Sequence, residues 1–259
     1  MPCLPTATQS DHALEVRARA WRTSSLRACC DVVEPWAHGT VFRATRYPSY
    51  YDLNVLLVED RPPRSLAELT AEADRALAGL DHRLIEFVSA ADAEPLRAEF
   101  ERAGWRSLCL VWLRHTAEPP PGASTDVEEL PYEAVDDLRV RWHHEDFPGI
   151  DPAAFHRQAR EVALKRGARI LAARAGGEVV AFAQLEHDGE GAEISEVYVR
   201  RDHRGRGLGT AVTRAAIAAG GSVQDLWISA DDEGRAKALY ERLGFRAAAK
   251  WMQFLRLPG

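Results

Sequence analysis

The sequence predicts an α/β protein made of two copies of one fold in tandem. Three observations lead there. Amphipathic helical periods alternate with short β-branched runs along the whole chain. A stretch from Ala117 through Pro119-Pro120-Pro121-Gly122 to Asp126 interrupts that alternation, and successive prolines exclude both helix and central strand. A repeat relates the halves at an offset of 140 residues: 89–106 and 229–246 agree at eight of eighteen positions, where residue frequencies alone give about one or two. The expected organisation is a first domain over 1–118, a linker over 119–126 and a second domain over 127–259.

In the first half, Asp52-Leu53-Asn54-Val55-Leu56-Leu57-Val58 reads as a strand, with a helix from about Ser65. Ser89 opens the repeated unit, and Gly104 closes its helix. In the second half, Asp151-Pro152 starts a helix that Gly167 stops near Arg166. Arg169 to Arg174 and Val179 to His187 form a hairpin around Gly176-Gly177, and Ala192 to Val199 is the next strand. Thr210 to Ala219 is a helix, Leu226 to Ser229 a strand, Glu233 to Leu243 a helix stopped by Gly244, and Lys250 to Leu257 a last strand.

The 259 residues are 46% hydrophobic, enough for one large core or two ordinary ones. Acids outnumber bases 39 to 33, a formal charge of -6 that disfavours nucleic acid as a partner. Cys3, Cys29, Cys30 and Cys109 form no Cys-x-x-Cys pair and have no metal-ligand spacing, so no metal is expected and the thiols read as structural. The first twenty residues lack the apolar core of a signal peptide, and no apolar run matches a bilayer's thickness, so no membrane partner and a cytoplasmic location are expected.

The strand 192–199 runs into Arg204-Gly205-Arg206-Gly207-Leu208-Gly209 and then directly into a helix. Glycines let a backbone approach a pyrophosphate closely, and the amides of a helix N-terminus point at it with partial positive charge. There is no Gly-Lys-Ser/Thr ending for a nucleotide loop and no Gly-x-Gly-x-x-Gly followed by a suitably placed acid for a dinucleotide. A strand ending Glu196-Val197-Tyr198-Val199, the Arg-x-x-Gly-x-Gly loop, and Leu239-Tyr240-Glu241-Arg242-Leu243-Gly244-Phe245 after a second strand stand in one order. In these motifs, over about 126–257, the chain resembles the GNAT superfamily of acetyl-CoA-dependent N-acyltransferases.

The resemblance implies two GNAT-like domains, each a twisted mixed β-sheet flanked by helices, the first of them degenerate. It implies acetyl-CoA as cosubstrate, with pantetheine on the backbone of Val197, Tyr198 and Val199 and pyrophosphate on Arg204, Gly205, Arg206, Gly207, Leu208, Gly209 and Thr210. Tyr240 matches the family's general acid for the leaving thiolate, and Glu196 an acid used as general base, with Glu193 its competitor. Family members often carry Asn seven residues before the Tyr, where this chain has Glu233, so a pantetheine contact there, through Asp232 or Glu233, is a departure. His143, His144 and Glu145 fall where the fold binds acceptors, though they also read as a helix end and its polar turn. The expected reaction is acetylation of a primary amine of a small molecule. Transfer of another acyl or aminoacyl group, and a non-catalytic acyl-CoA sensor, remain as alternatives.

In the first half, Glu59-Asp60-Arg61-Pro62-Pro63-Arg64 stands where the loop would be, and Phe100 aligns with Tyr240. Prolines supply no amide hydrogens and carboxylates repel phosphate, so no coenzyme site is expected there.

Overall fold

The computed structural model describes residues 9–60, 65–118, 126–188, 190–221 and 223–258. Residues 61–64 of the expected loop counterpart over 59–64 and nearly all of the expected linker fall outside these residues. The chain divides into two compact units, and neither is continuous in sequence. The first comprises Met1–Trp112, Ala230–Lys237 and Ala247–Gly259, the second Leu113–Ser229 and Ala238–Arg246.

The elements of the first half are α1 (Gln9–Cys29), β1 (Val32–Trp36), β2 (Gly39–Arg43), β3 (Val55–Val58), α2 (Leu66–Ala76), β4 (Arg83–Phe87), α3 (Ala90–Arg102) and β5 (Arg106–His115). The pairs β1–β2 and β2–β3 are antiparallel, and β3 and β4 are parallel. All four residues of β3 are buried, as an uninterrupted apolar run requires of a strand covered on both faces. Ser65 and Ser89 cap α2 and α3 through their hydroxyls, which accept from the amides of Glu68 and Asp92. The strand expected from Asp52 starts later, because Tyr51–Leu53 form a 3-10 turn. Asn54 holds it there: its buried side chain donates to the carbonyls of Tyr47 and Tyr50 and accepts from the amide of Ala44.

The second half continues with β6 (Val127–Leu130), α4 (Asp136–Asp146), α5 (Ala153–Lys165), β7 (Arg169–Ala175), β8 (Glu178–His187), β9 (Gly191–Val199), α6 (Leu208–Gly220), β10 (Asp225–Asp231), α7 (Arg235–Arg242) and β11 (Phe245–Arg256). Strands β6 to β9 form an antiparallel meander, and β10 joins β9 in parallel. Asp151 caps the start of α5, accepting from the amide of Ala153 at 3.0 Å. Helix α6 lies along β7, β8 and β9. An aromatic and aliphatic cluster of Tyr132, Leu138, Ala163, Phe182 and Tyr198 joins α4 and α5 to the sheet. Both units are thus α/β, with a mixed sheet and flanking helices.

The last strand starts earlier than the sequence indicated, at Phe245, and its Met252–Arg256 stretch pairs antiparallel with β4. It completes the first unit's sheet, not the second's. The reason is packing: Met252 and Phe254 enter the core formed by Leu56, Val58, Phe87 and Phe100. The Phe254 ring stacks on Phe100 at 3.9 Å and meets Phe87 edge-on at 5.8 Å. In turn, the end of β5 belongs to the second unit, where Arg114 pairs with Asp225 and donates to the carbonyl of Gln224 at 3.0 Å. No helix among the described residues is long and apolar enough to cross a membrane.

Truncating Phe254 leaves a cavity between two other rings. Phe254→Ala is expected to lower stability by about 3–5 kcal/mol in chemical denaturation. A loss below about 1 kcal/mol would mean that the last strand is not part of that core.

Candidate functional site

The second unit's sheet opens at one place. Parallel pairing of β9 with β10 runs from Gly191–Asp225 to Ile194–Ile228 and stops, while β9 continues through Ser195, Glu196, Val197, Tyr198 and Val199. On its other edge β9 remains paired with β8, but with a shift: Gln184 faces Glu196 and Leu185 faces Ile194, so Ser195 is an extra residue, a β-bulge. Backbone groups past the bulge have no ladder partner on the β10 side among the described residues. An extended polyamide can add there as a strand would.

Beyond Val199 the chain makes a short turn over Arg201–His203 and enters the glycine loop. Gly205 and Gly207 have φ of +78° and +82°, which side-chain-bearing residues rarely adopt, and Gly207 heads α6 without a side-chain cap. The first-turn amides of Leu208, Gly209 and Thr210 therefore have no helical acceptor. Gly209 lies beneath them: a Cβ there would sit 3.6 Å from both Val199 Cγ2 and Leu239 Cδ1. The loop, the end of β9 and helix α7 meet at that point.

The two loop arginines differ. Arg206 is exposed. Arg204 folds back, donating from Nε to the carbonyl of Val199 and from Nη2 to Glu145, both at 2.9 Å. Glu145 also accepts from the Tyr198 hydroxyl at 2.9 Å and pairs with Arg201 at 3.2 Å. Burial opposes its charge, but Tyr198, Arg204 and Arg201 outweigh that and hold the Glu145 carboxyl below its usual range. Burial and the same carboxylate push the Tyr198 phenol up to about 12.

The three residues expected at the acceptor site are not all brought together. His144 and Glu145 line an open cavity of about 580 Å³ with Arg141, Tyr198, Arg200 and Arg201. His143, a helical step away, turns into a cluster with Phe147, Phe155 and His156, at ring separations of 5.3 to 5.7 Å. Burial lowers both imidazoles, His156 to about 4, so His156 is neutral near pH 7.

Tyr240 is 6% exposed on α7, edge-on to Phe245 at 6.2 Å. Burial pushes its phenol up to about 12, so it carries its proton at any ordinary pH. Glu196 forms an ion pair with Arg139, whose side chain is 4% exposed and lies over the rings of Tyr132 and Phe182, 4.3 and 4.8 Å from their centroids. Arg139 Nη2 also donates to Gln184 at 2.6 Å. From there the network continues: Gln184 Nε2 donates to Glu186 at 2.6 Å and to Ser195 Oγ at 3.1 Å, and Arg166 pairs with Glu186 at 2.7 Å.

Sequence reasoning missed Arg139, Arg166, Gln184 and Glu186. A faint signal existed in Gln184 and Glu186, polar at every second position of an otherwise apolar strand. Asp232 and Glu233, considered as pantetheine contacts, are engaged by cations: Lys237 and Lys250 hold Asp232 at 2.5 Å each, and Arg97 holds Glu233 at 2.9 Å. Among the described residues no group of three or more His, Cys, Asp or Glu could hold a metal ion.

Residues 133–245 match the Acetyltransferase (GNAT) family, a span that includes the opened strand, the glycine loop and Tyr240. A mycothiol acetyltransferase of Nocardia farcinica is 40% identical over 90 residues, which cover 34% of this chain and 29% of that protein. The aligned stretch is thus less than a third of that relative's length. Among solved structures, a GCN5-related N-acetyltransferase from Kribbella flavida superposes with a TM-score of 0.56 at 18% identity, over 95% of this chain and 96% of that one. A conserved protein of unknown function from Staphylococcus epidermidis superposes with a TM-score of 0.65 at 16% identity, over 89% and 95%. These two likenesses are of fold alone, and they extend over both units. Over 133–245 the chain is thus similar to the GNAT acetyltransferase family.

Proposed function

We propose that this protein transfers an acetyl group from acetyl-CoA to a primary amine of a small molecule. The observation that carries the reading is the end of β9–β10 pairing at Ile194–Ile228, followed at once by a glycine loop on a helix N-terminus. The backbone of Val197, Tyr198 and Val199 is open along one edge for the pantetheine amides, and the amides of Leu208, Gly209 and Thr210 are free for the pyrophosphate. Arg206 adds a charge from solvent, whereas Arg204 braces the loop against Val199 and Glu145.

In the reaction the amine lone pair attacks the thioester carbonyl carbon. Charge builds on the carbonyl oxygen, where backbone N–H groups of the opened strand stabilise it. The C–S bond then breaks and the thiolate takes a proton from Tyr240. Burial that keeps the Tyr240 proton in place also makes a thiolate expelled beside it a stronger base than in water.

We read the first unit as a second GNAT-like copy without a coenzyme site. Its order β3–α2–β4–α3–β5 matches β9–α6–β10–α7–β11, with a parallel first pair in each. In the first copy, however, pairing runs to the last residues, Val58 opposite Phe87, and the amide of Val88 still donates to the carbonyl of Val58 at 3.1 Å. Among the described residues nothing opens there for a pantetheine arm. Phe100, at the place of Tyr240, is fully buried between Phe254 and Trp105.

Titration calorimetry is expected to give one acetyl-CoA per chain, and a stoichiometry of two would restore a site to the first unit. Gly207→Val is expected to abolish that binding while the protein stays folded, because a β-branched residue resists a φ of +82° and displaces the first-turn amides. Normal affinity in the folded variant would remove the loop from the site. Tyr240→Phe is expected to cut turnover roughly a hundred-fold in a free-thiol release assay against a panel of amines, with acetyl-CoA affinity held within a few-fold. Unchanged turnover would take the phenol out of the mechanism, and binding without thiol release from any amine would favour an acyl-CoA sensor.

A further inference from the structure

On the acetyl-transfer reading above, the open edge of β9 and the glycine loop receive the coenzyme, and what remains to be recognised is the acceptor. The open cavity of about 580 Å³ lies beside them, within the size range of small-molecule sites, and all of its lining residues belong to the second unit. It adjoins the sheet face on which Tyr198 packs with Leu138 of α4 and Ala163 of α5. The amide of Arg200 donates to the carbonyl of Val180 at 2.9 Å, so the pairing of β9 with β8 continues that far. Side chains alternate along a strand, which puts Arg200 on the same face as Tyr198. Val199 points the other way, toward Gly209 and the start of α6. The cavity and the first-turn amides of α6 therefore lie on opposite faces of the sheet.

Three guanidinium groups line the cavity, those of Arg141, Arg200 and Arg201, together with the carboxylates of Glu145 and Asp202. Both carboxylates are already engaged. Glu145 serves Tyr198, Arg204 and Arg201 at once. Asp202 meets His203 Nδ1 at 3.0 Å and Arg200 at 2.8 Å, and the two hold its carboxyl down to about 2. Arg200 also donates to Glu178 at 2.8 Å. Arg141 is different. It is exposed on α4, and among the described residues no hydrogen bond or ion pair engages it. Its charge reaches Glu178 and Tyr198 only through space. His144, one turn further along α4, borders the same space.

A guanidinium without a counter-charge in a concave site attracts an anion. Low-dielectric walls concentrate its field, and its planar fork matches the oxygens of a carboxylate or phosphate two at a time. We propose that this cavity binds an anionic group of the acceptor, a carboxylate or a phosphate, with Arg141 as its principal partner and Arg200 and Arg201 as flanking charge. Resting on the acetyl-transfer reading, the proposal makes the preferred acceptor a primary amine that carries an acid elsewhere in the same molecule. The acid sits on the α4 face, and the amine end of the molecule extends along β9 toward the opened edge. A neutral amine leaves Arg141 uncompensated, and a polyamine is repelled by it.

The test measures thiol release with acetyl-CoA for ω-amino acids of two to eight carbons and for their carboxamides, which keep the shape and lose the charge. O-phosphoethanolamine against ethanolamine is the matching phosphate pair. At the best length the charged acceptor is expected to exceed its neutral partner about ten-fold or more in kcat/KM, mainly through KM. Arg141→Gln is expected to bring that ratio close to one through a loss on the charged acceptor, and Arg141→Lys to keep part of it. Equal rates within every charged and neutral pair would overturn the proposal while leaving acetyl transfer standing. A preference for the charged acceptor that survives Arg141→Gln in full would overturn it as well. Acetyl-CoA carries phosphates of its own, so calorimetry with acetyl-CoA and its 3′-dephospho analogue separates the two sources of anion. If Arg141→Gln weakens binding of the first and not of the second, the cavity holds the coenzyme's phosphate and the acceptor role falls. No thiol release from any amine would sink the acetyl-transfer reading itself, and the acidic acceptor with it.

Discussion

The second unit depends on one irregularity in a single strand, the extra residue Ser195 in β9. A regular strand paired on both edges satisfies its backbone completely and offers nothing to a ligand. At Ser195 the side-chain phase slips by one residue, and from Glu196 onward the β10-side edge of the strand has no ladder partner among the described residues. Each consequence serves the site. The slip gathers Glu193, Glu196 and Tyr198 on the face toward α4 and α5, and it leaves Val197 and Val199 toward α6. The open edge exposes amides and carbonyls at the place where an extended, amide-bearing chain could pair with them.

Opening a strand is tolerable only if its end is held some other way. Glu145 does this from α4, accepting from Tyr198, Arg204 and Arg201 together, while Arg204 also closes on the carbonyl of Val199. One carboxylate thus fixes the last turn of α4, the end of β9 and the entrance of the glycine loop. Charge-assisted hydrogen bonds that share a partly buried acceptor are stronger than exposed pairs. The geometry of the loop is therefore set before any ligand arrives, which lowers the cost of ordering it on binding.

The sequence disclosed the elements whose signals are local. Helix starts at Ser65 and Asp151, stops at Gly104, Gly167 and Gly244, and the Gly176-Gly177 hairpin all follow from caps and from glycines with positive φ, and they stand within a residue or two of expectation. The glycine loop and Tyr240 were legible for the same reason, as compact motifs. Pairing partners were not. That Met252 and Phe254 would lie against Phe87 and Phe100 depends on which of two similar cores gains more from those side chains, and a repeat sequence describes both cores in nearly the same words. The Arg139–Glu196 pair and the chain through Gln184 to Arg166 link residues far apart in sequence. They become neighbours only once α4, α5, β8 and β9 are assembled. His143 shows the converse, since adjacency to His144 and Glu145 in sequence puts it on a different face of the same helix.

The two units also show what an open site costs. Both contain a parallel strand pair followed by a helix, yet only the second leaves its pair unzipped. In the first, Val58 and Phe87 are still in register at the strand ends, and the place of a phenol is taken by Phe100 stacked in the core. Backbone groups left without partners destabilise a sheet unless water or a ligand satisfies them, and burying a phenol costs more than burying an apolar ring. Each difference in the first unit is in the direction of lower free energy for the protein by itself: continuous pairing in place of parted strands, and an apolar ring in place of a buried phenol. By the same reasoning, the features of the second unit that disregard stability, its parted strands and buried phenol, are the ones to be explained by chemistry.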